Sequence, residues 1–349
     1  MDADPGTRNF AARVIAWQKR HGRHNLPWQN TRNAYRIWLS EVMLQQTQVT
    51  TVIPYYRRFL QRFPSLAALA QAQLEDVLEL WSGLGYYSRA RNLHRAAQTV
   101  AAQHAGRFPR DFNAVLALPG VGRSTAAAIC VFAHGGRHAI LDGNVKRLFA
   151  RYFGIAGYPG VAKVQACLWN KADQVLPRRE VEAYTQGLMD LGATVCIRGK
   201  PQCDKCPLKR TCVAYTDDRI AMLPEPRPRK ALPQRRTRML VLLHAGQVLL
   251  EKRPASGIWG GLWSLPEADP NADIAVLCAQ RFGAEIAAQI SLPVVVHGFT
   301  HFKLDIEPSK IAVVRVTPRA TAPGVMWLLL HDALGAAIPA PVRRILATL

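Results

Sequence analysis

The segment LALPGVGRSTAAAI at residues 116–129, followed by AILDGNVKR at residues 139–147, decides the fold of this chain. Pro119 ends a helical run, and Gly120 and Gly122 permit a tight turn before an alanine-rich helix. A turn that opens a helix points free backbone N–H groups outward, where the helix dipole adds partial positive charge. The sequence therefore predicts a phosphate-binding turn directly ahead of this helix.

A carboxylate follows that turn after about 20 residues. The turn, the helix and this carboxylate together are a more specific motif than a glycine turn alone. Asp142 stands in LDGN, just before a helix that is predicted to start near Val145. Asp142 and Asn144 both suit the start of a helix, so a purely structural capping role is one interpretation. The other interpretation is a catalytic carboxylate placed beside the phosphate-binding turn.

A second acidic residue lies in an apolar segment, IWLSEVMLQQTQVTTV at residues 37–52. Glu41 is surrounded by Trp38, Leu39, Val42 and Met43, and such surroundings raise the pKa of a carboxyl group. A raised pKa keeps the proton available near neutral pH, as a general acid requires. A position on a solvated polar stripe of the helix is the alternative.

Charge and composition restrict the class of partner. The 349 residues include 45 Lys and Arg against 24 Asp and Glu, a formal net charge of +21 at pH 7, which favours a polyanion such as nucleic acid. No apolar run reaches the length of a membrane span, and the N-terminal MDADPGTRNF lacks an apolar signal core. We expect no membrane association and a cytoplasmic, nucleoid-associated location.

Four of the seven cysteines are crowded into 17 residues, with the spacing C-x6-C-x2-C-x5-C. They are Cys196, Cys203, Cys206 and Cys212. An odd total with this crowding favours a metal site over disulfides, and the spacing alone leaves an iron-sulfur cluster and structural zinc open. After the cysteines, a stretch rich in proline and arginine predicts an extended linker, and the pattern then changes to strands, with a hairpin turn at Ala245 and Gly246.

Taken together, these motifs resemble the MutY-type adenine DNA glycosylases of the helix-hairpin-helix superfamily. The resemblance implies an all-α helix-hairpin-helix glycosylase domain over residues 1–216, a Pro/Arg-rich linker over 217–237 and a C-terminal α+β Nudix-like domain over 238–349. It also implies a [4Fe-4S] cluster in the loop 196–212. The implied partner is double-stranded DNA with adenine opposite 8-oxoguanine or guanine, bound by a monomer.

The same resemblance assigns roles to individual residues. Glu41 corresponds to the acid that protonates adenine, and Asp142 to the carboxylate that stabilises the sugar cation. Asn144 lies close enough to Asp142 in sequence to help orient Asp142 or water. The residues that would contact DNA or the bases are Trp28, Gln46, Thr47, Leu84, Tyr86, Gly120, Val121, Gly122, Ser124, Phe299, Thr300 and His301.

The C-terminal domain has a Nudix-like entry, GIWGGLWSLPE, but the acidic helix that binds magnesium in Nudix hydrolases is missing from the sequence that follows. We therefore expect binding here, not hydrolysis. The family's Phe-Ser-His recognition turn appears as Phe299, Thr300 and His301.

Two other functions stay open on the sequence. An endonuclease III-like glycosylase with lyase activity would need a lysine where this chain has Ser124, so its Schiff-base route lacks an amine. A DNA-damage binding protein without catalysis would not require both Glu41 and Asp142.

Overall fold

The computed structural model describes residues 9–228, 231–255, 257–269, 271–317 and 324–349. The chain forms two compact units. The first spans Met1–Gln71 and Asn92–Arg229, and the second spans Ala72–Arg91 and Lys230–Leu349. In the described part of the chain, no helix is both long enough and apolar enough to cross a membrane.

The helices are α1 (Phe10–His21), α2 (Ala34–Leu44), α3 (Val49–Arg62), α4 (Leu66–Gln71), α5 (Leu74–Trp81), α6 (Ser88–Gln103), α7 (Phe112–Leu116), α8 (Arg123–His134), α9 (Gly143–Tyr152), α10 (Ala162–Gln174), α11 (Val181–Asp190), α12 (Val213–Thr216), α13 (Ile274–Phe282), α14 (Leu330–Gly335) and α15 (Ala340–Leu346). The strands are β1 (Gln234–His244), β2 (Gln247–Lys252), β3 (Trp263–Ser264), β4 (Glu267–Ala268), β5 (Ala284–Ser291), β6 (Val295–Gly298), β7 (Lys303–Val316) and β8 (Val325–Leu329).

The first unit is helical and has an aromatic core. Phe10 on α1 packs edge-on against Phe149 of α9 with ring centroids 5.8 Å apart, and its ring lies 4.7 Å from that of Tyr152. Tyr184 of α11 also meets Phe10 edge-on, with ring centroids 6.3 Å apart. Buried aromatic rings of this size contribute much of a core's apolar area, so α1, α9 and α11 are held as one layer.

The second unit is built on a mixed sheet with the strand order β3-β2-β1-β7-β5, to which β4, β6 and β8 add at β1, β7 and β2. The predicted hairpin is confirmed, since β1 and β2 pair antiparallel across Ala245 and Gly246. Strands β1 and β7 pair parallel from Gln234 to Leu243 of β1. Helix α13 covers one face, where Cys278 and Phe282 join the core. The predicted fold class, a helical domain followed by an α+β domain, agrees with the elements of these two units.

The segment Ala72–Arg91 packs within the second unit, although it lies far from the rest of that unit in sequence. Glu75 on α5 forms an ion pair with Lys252. Nη2 of Arg343 on α15 donates to Oγ of Ser82 over 3.0 Å, and Nη1 of Arg91 donates to the carbonyl oxygen of Gly260 over 2.6 Å. These contacts fix the start of α6 and the loop before it to the sheet unit.

Candidate active site

The turn ahead of α8 has the geometry that its sequence predicts. Gly120 lies in the left-handed region with φ of 77°, and a Cβ there would lie 2.7 Å from Cβ of Asn92, so only glycine fits. Gly122 is the N-cap of α8 and has no side chain to occupy the N–H groups of the first helical turn. These N–H groups can therefore donate hydrogen bonds to a phosphate oxygen. Val121 between the two glycines is buried.

Ser124 faces inward from the first turn of α8. Its Oγ accepts a hydrogen bond from the backbone N–H of Leu141 over 3.0 Å. Leu141 is the residue before Asp142 and is only 3% exposed. The hydroxyl thus connects the phosphate-binding turn to the segment that bears the candidate catalytic carboxylate.

Asp142 is the N-cap of α9, since its Oδ1 accepts the N–H of Val145 over 2.7 Å. Burial raises the pKa of Asp142 above its ordinary value, and the N–H groups of Val145 and Asn144 lower it, as do the charges of Arg147 and Lys146. The capping interpretation is therefore correct as geometry, but it does not exclude catalysis, because the second oxygen of the carboxylate is not needed for the cap.

Asn144 is held on two sides. Nη2 of Arg147 donates to Oδ1 of Asn144 over 2.9 Å and to the carbonyl oxygen of Gly192 over 2.6 Å. A Cβ on Gly192 would lie 2.5 Å from Cβ of Asn144, so this close approach of the two backbones requires glycine. Gly192 lies in a π-helical turn, Leu191–Val195, which continues α11 toward Cys196.

Glu41 lies on α2 at the wall of a cavity with about 1290 Å³ of empty space, part of it open to solvent. Burial, and secondly the charge of Asp142, raise the pKa of Glu41 to about 8. The raised pKa that the apolar neighbours predict is thus confirmed. The negative charge of Asp142 therefore favours the protonated form of Glu41. The site combines a neutral acid with a nearby carboxylate.

The raised pKa of Glu41 should make the stability of the protein depend on pH. The unfolded chain loses the proton of Glu41 near the ordinary pKa of 4.5, whereas the folded chain keeps it up to about 8. Between those values the folded state loses about 1.4 kcal/mol of stability per pH unit through this group. Glu41→Gln removes that loss, so we expect the variant to exceed the wild type in free energy of unfolding by a margin that grows to a few kcal/mol as pH rises toward 8.

Urea unfolding at several pH values would measure this margin. Glu180→Gln is the matched control, because Glu180 is an exposed carboxylate paired with Lys19. This variant leaves Glu41 in place, so we expect it to show no such gain in free energy of unfolding as pH rises toward 8. A constant margin for Glu41→Gln would mean that Glu41 is solvated and charged in the folded protein.

The cavity is also lined by residues that the motifs did not single out. Arg32, in the loop after Trp28, and Glu182 of α11 form an ion pair at the cavity wall, and Arg32 Nη1 donates to the carbonyl oxygen of Phe132 over 3.0 Å. The pair joins residues 150 positions apart in sequence, so no local pattern could have predicted it. Trp28 is buried in the same wall and packs edge-on against Tyr56 at 5.4 Å.

The residues of the two predicted DNA-contacting loops differ in their exposure to solvent. Gln46 is exposed after the end of α2 with φ of 59°, and Thr47 beside it is half-buried. In the second unit, Tyr86 is 47% exposed with φ of 49°, whereas Leu84 is only 6% exposed. Arg89 holds this loop by donating from Nη2 to the carbonyl oxygens of Leu84 and Gly85, each over 3.2 Å. Tyr86 is therefore the apolar side chain that this loop offers to a partner.

The four crowded cysteines line one cavity with about 370 Å³ of empty space. All four are unpaired thiols. Nη1 of Arg151 donates to Sγ of Cys196 over 3.4 Å, and Nε of Arg147 donates to the carbonyl oxygen of Cys196 over 2.7 Å. Among the described residues, no three His, Cys, Asp or Glu side chains are arranged to hold a single metal ion.

The third group of predicted residues forms a turn between β6 and β7 in the second unit. The N–H of Phe299 donates to the carbonyl oxygen of Phe302 over 2.9 Å. Thr300 and His301 are exposed at its tip, with Oγ1 of Thr300 lying 3.3 Å from Nδ1 of His301. Polar groups of two side chains are therefore available to a ligand.

Comparison with known proteins gives consistent matches over nearly the whole chain. Residues 39–174 match the HhH-GPD superfamily of base excision DNA repair proteins, and residues 238–348 match the NUDIX domain. The chain is 36% identical over 338 residues to an adenine DNA glycosylase of Buchnera aphidicola subsp. Acyrthosiphon pisum (strain APS), covering 97% of this chain and 96% of that protein.

The adenine DNA glycosylase of Homo sapiens is 33% identical over 399 residues, covering 96% of this chain and 73% of that protein. Among solved structures, a thermostable thymine-DNA glycosylase is similar with a TM-score of 0.56 and 29% identity, covering 61% of this chain and 97% of that chain.

Proposed function

Since the chain belongs to the family of adenine DNA glycosylases, we propose that it hydrolyses the N-glycosidic bond of adenine mispaired with 8-oxoguanine or guanine in duplex DNA. The observation that carries the proposal is the pairing of Glu41, whose pKa is raised to about 8, with the nearby Asp142. A DNA glycosylase that acts by hydrolysis needs a proton donor for the departing base and a counter-charge for the sugar.

Glu41 supplies the proton. Adenine leaves poorly as an anion, so the bond to the sugar breaks readily only when the base is protonated, most simply at N7. An extrahelical adenine fits the cavity beside Glu41, where Trp28 gives an aromatic wall and the Arg32–Glu182 pair offers hydrogen-bonding groups to the base edge. Flipping the base out of the duplex costs a few kcal/mol, which contacts in the cavity offset.

Asp142 supplies the counter-charge. As the bond breaks, positive charge develops on the sugar, and an ionised carboxylate at the start of α9 stabilises it or bonds to it transiently. Asn144, fixed by Arg147, orients the attacking water or Asp142 itself. The phosphate next to the flipped nucleotide binds the N–H groups at Gly120–Gly122, while Gln46 and Tyr86 are the exposed side chains suited to replace the lost stacking.

The thiols of Cys196, Cys203, Cys206 and Cys212 fit a [4Fe-4S] cluster. They line one cavity, and the guanidinium of Arg151 points an N–H group at Sγ of Cys196, as a charged thiolate ligand requires. When bound, the cluster would stabilise the loop 196–212 and its lysines and arginines, which suit contact with the DNA backbone.

We expect purified protein to contain about four iron atoms and four acid-labile sulfides per chain and to show broad visible absorption. Cys203→Ser should lower the iron content, because it removes one ligand. Cys167→Ser is the matched control, since Cys167 is exposed and lies outside the cavity, and it should keep the full iron content. A protein with one zinc and no iron would contradict the cluster.

The turn at Phe299, Thr300 and His301 is proposed to read the base opposite adenine. The cavity at Glu41 receives an ordinary adenine, so it cannot detect whether the opposite guanine is oxidised. Thr300 and His301 are exposed polar residues in the second unit and can meet the N7–H and O8 groups that distinguish 8-oxoguanine from guanine. Thr300 retains the hydroxyl of the family's serine.

The decisive experiment incubates the wild type with end-labelled duplexes that carry adenine opposite 8-oxoguanine, guanine or thymine. We expect adenine release from the first two duplexes and strand breakage only after alkali, because Ser124 provides no amine for a Schiff base. Strand cleavage without alkali would support the endonuclease III-like alternative. Binding without base release would support the non-catalytic one, and release opposite thymine at an equal rate would contradict the mispair specificity.

A further inference from the structure

The turn that joins β6 to β7 has little backbone support at its tip. Strand β6 ends at Gly298 and β7 begins at Lys303. Across the tip, the N–H of Phe299 donates to the carbonyl oxygen of Phe302 over 2.9 Å. The conformation of Thr300 and His301 therefore depends on how the side chain of Phe299 is anchored.

Phe299 is anchored in a cluster of aromatic rings. Its ring stacks on Phe302 with centroids 4.5 Å apart, meets His297 edge-on at 4.7 Å and lies 5.4 Å from the ring of Trp259. Trp259 also lies 5.7 Å from His297. Burial, and secondly the charge of Arg344, lower the pKa of His297, so its ring packs as a neutral aromatic at neutral pH.

Phe302, His297 and Phe299 belong to the two strands or to the turn itself, whereas Trp259 comes from a separate loop. It is 9% exposed and has φ of 55°, which is a strained conformation for a tryptophan and persists only where the surroundings hold it. The surroundings do so here. The N–H of Leu262 donates to the carbonyl oxygen of Trp259 over 3.0 Å, and Nε of Arg253 donates to that of Ile258 over 3.1 Å.

The loop around Trp259 is fixed from two further directions. The guanidinium of Arg253 lies over the Trp259 ring, 5.7 Å from its centroid. Arg91 donates to the carbonyl oxygen of Gly260, the next residue, over 2.6 Å. These contacts hold Trp259 independently of the β6–β7 turn. Phe299 can therefore pack against the Trp259 ring in one fixed position.

We propose that Trp259 is a positioning residue that sets the preference for 8-oxoguanine over guanine by holding Phe299, and through it Thr300 and His301, in the reading conformation. This inference rests on the proposed function, in which the turn reads the opposite base. 8-Oxoguanine differs from guanine by its O8 and N7–H groups. To distinguish the two bases, the donors and acceptors of the turn must be placed within a fraction of an ångström. Trp259 supplies that precision and does not itself touch the base.

The test compares excision rates opposite 8-oxoguanine and opposite guanine in full-length protein carrying Trp259→Leu or the milder Trp259→Phe. We expect the ratio of the two rates to fall about 3- to 10-fold in Trp259→Leu and less in Trp259→Phe, as the loss of aromatic contacts implies. The rate opposite guanine should stay within about 2-fold of the wild type, since the cavity at Glu41 is unchanged. Partial recovery with Phe separates a packing role from general damage.

Trp263→Leu is the matched control, because Trp263 is a tryptophan of the same unit that packs under Lys252 and lies outside the ring cluster. It should lower stability without changing the ratio. If Trp263→Leu lowers the ratio equally, or if Trp259→Leu lowers both rates equally, the positioning role is refuted. Thr300→Ala and His301→Ala test the proposed function separately. If Thr300→Ala and His301→Ala lose the preference for 8-oxoguanine but Trp259→Leu keeps it, only this inference is overturned. If Thr300→Ala and His301→Ala both keep the preference, the reading role of the turn is overturned.

Discussion

Replacing Glu41 with glutamine is expected to lower the single-turnover rate of adenine excision at least about 100-fold, the usual contribution of a general acid. Gln keeps the size of the side chain and can still form hydrogen bonds, but its amide has no acidic proton to transfer to the base. Affinity for the mispaired duplex should therefore stay close to that of the wild type. Rapid-quench assays with enzyme in excess, together with a binding titration, would measure both quantities.

The dependence of the wild-type rate on pH provides an independent check. Because the pKa of Glu41 is raised to about 8, the acid form is lost as pH rises through that value, and the rate should fall there. Glu180→Gln, an exposed carboxylate change in the same unit, should excise at the wild-type rate with the same pH profile. A wild-type rate in Glu41→Gln would remove this residue from the acid role.

Asp142→Asn should lower the excision rate about 100- to 1000-fold, because a neutral amide cannot stabilise the sugar cation. The substitution is informative since asparagine caps helices about as well as aspartate. The amide oxygen can still accept the N–H of Val145, which Oδ1 of Asp142 accepts at 2.7 Å in the wild type. Stability should therefore change little while the rate falls, as thermal unfolding and single-turnover assays would record.

The matched control is Asp111→Asn. Asp111 caps α7 in the same manner, with its side chain accepting the N–H of Ala114 over 2.9 Å, and we expect no change in rate. Asp142→Ala adds a second comparison, because it removes both charge and cap. If Asp142→Asn excised adenine normally and Asp142→Ala alone were impaired, the side chain would serve only to start α9.

The sequence predicted those parts of the site in which the surroundings of a residue are set by its neighbours in the chain. Glu41 has apolar neighbours at successive positions of one helix, so its raised pKa follows from the sequence itself. The turn at Gly120 was also predictable, because glycine readily adopts the positive φ that this turn has. The assignment of Asp142 to catalysis came from resemblance, because capping and catalysis call for the same residue at the same place.

Other features depended on contacts between distant segments. Arg32 and Glu182 meet only because α11 packs beside the loop after Trp28, and neither residue stands in a motif. Leu84 was expected to touch DNA with Tyr86, yet the backbone of this loop turns Leu84 inward and leaves Tyr86 exposed. Strand β7 continues through Pro308, because it pairs with β1 on both sides of this proline.

The hydrogen bond from the N–H of Leu141 to Oγ of Ser124 restricts how residue 124 could change during evolution. A lysine at residue 124 would bring an amine but would remove the oxygen that accepts the N–H of Leu141. A buried N–H without an acceptor costs about 1–3 kcal/mol, and here the cost would fall on the residue next to Asp142. A path from hydrolysis to lyase chemistry would therefore pass through an intermediate with a loosened active site, unless another substitution had first supplied a new acceptor. We therefore expect the effect of a lysine at position 124 to be epistatic, since it would depend on which residues surround the N–H of Leu141.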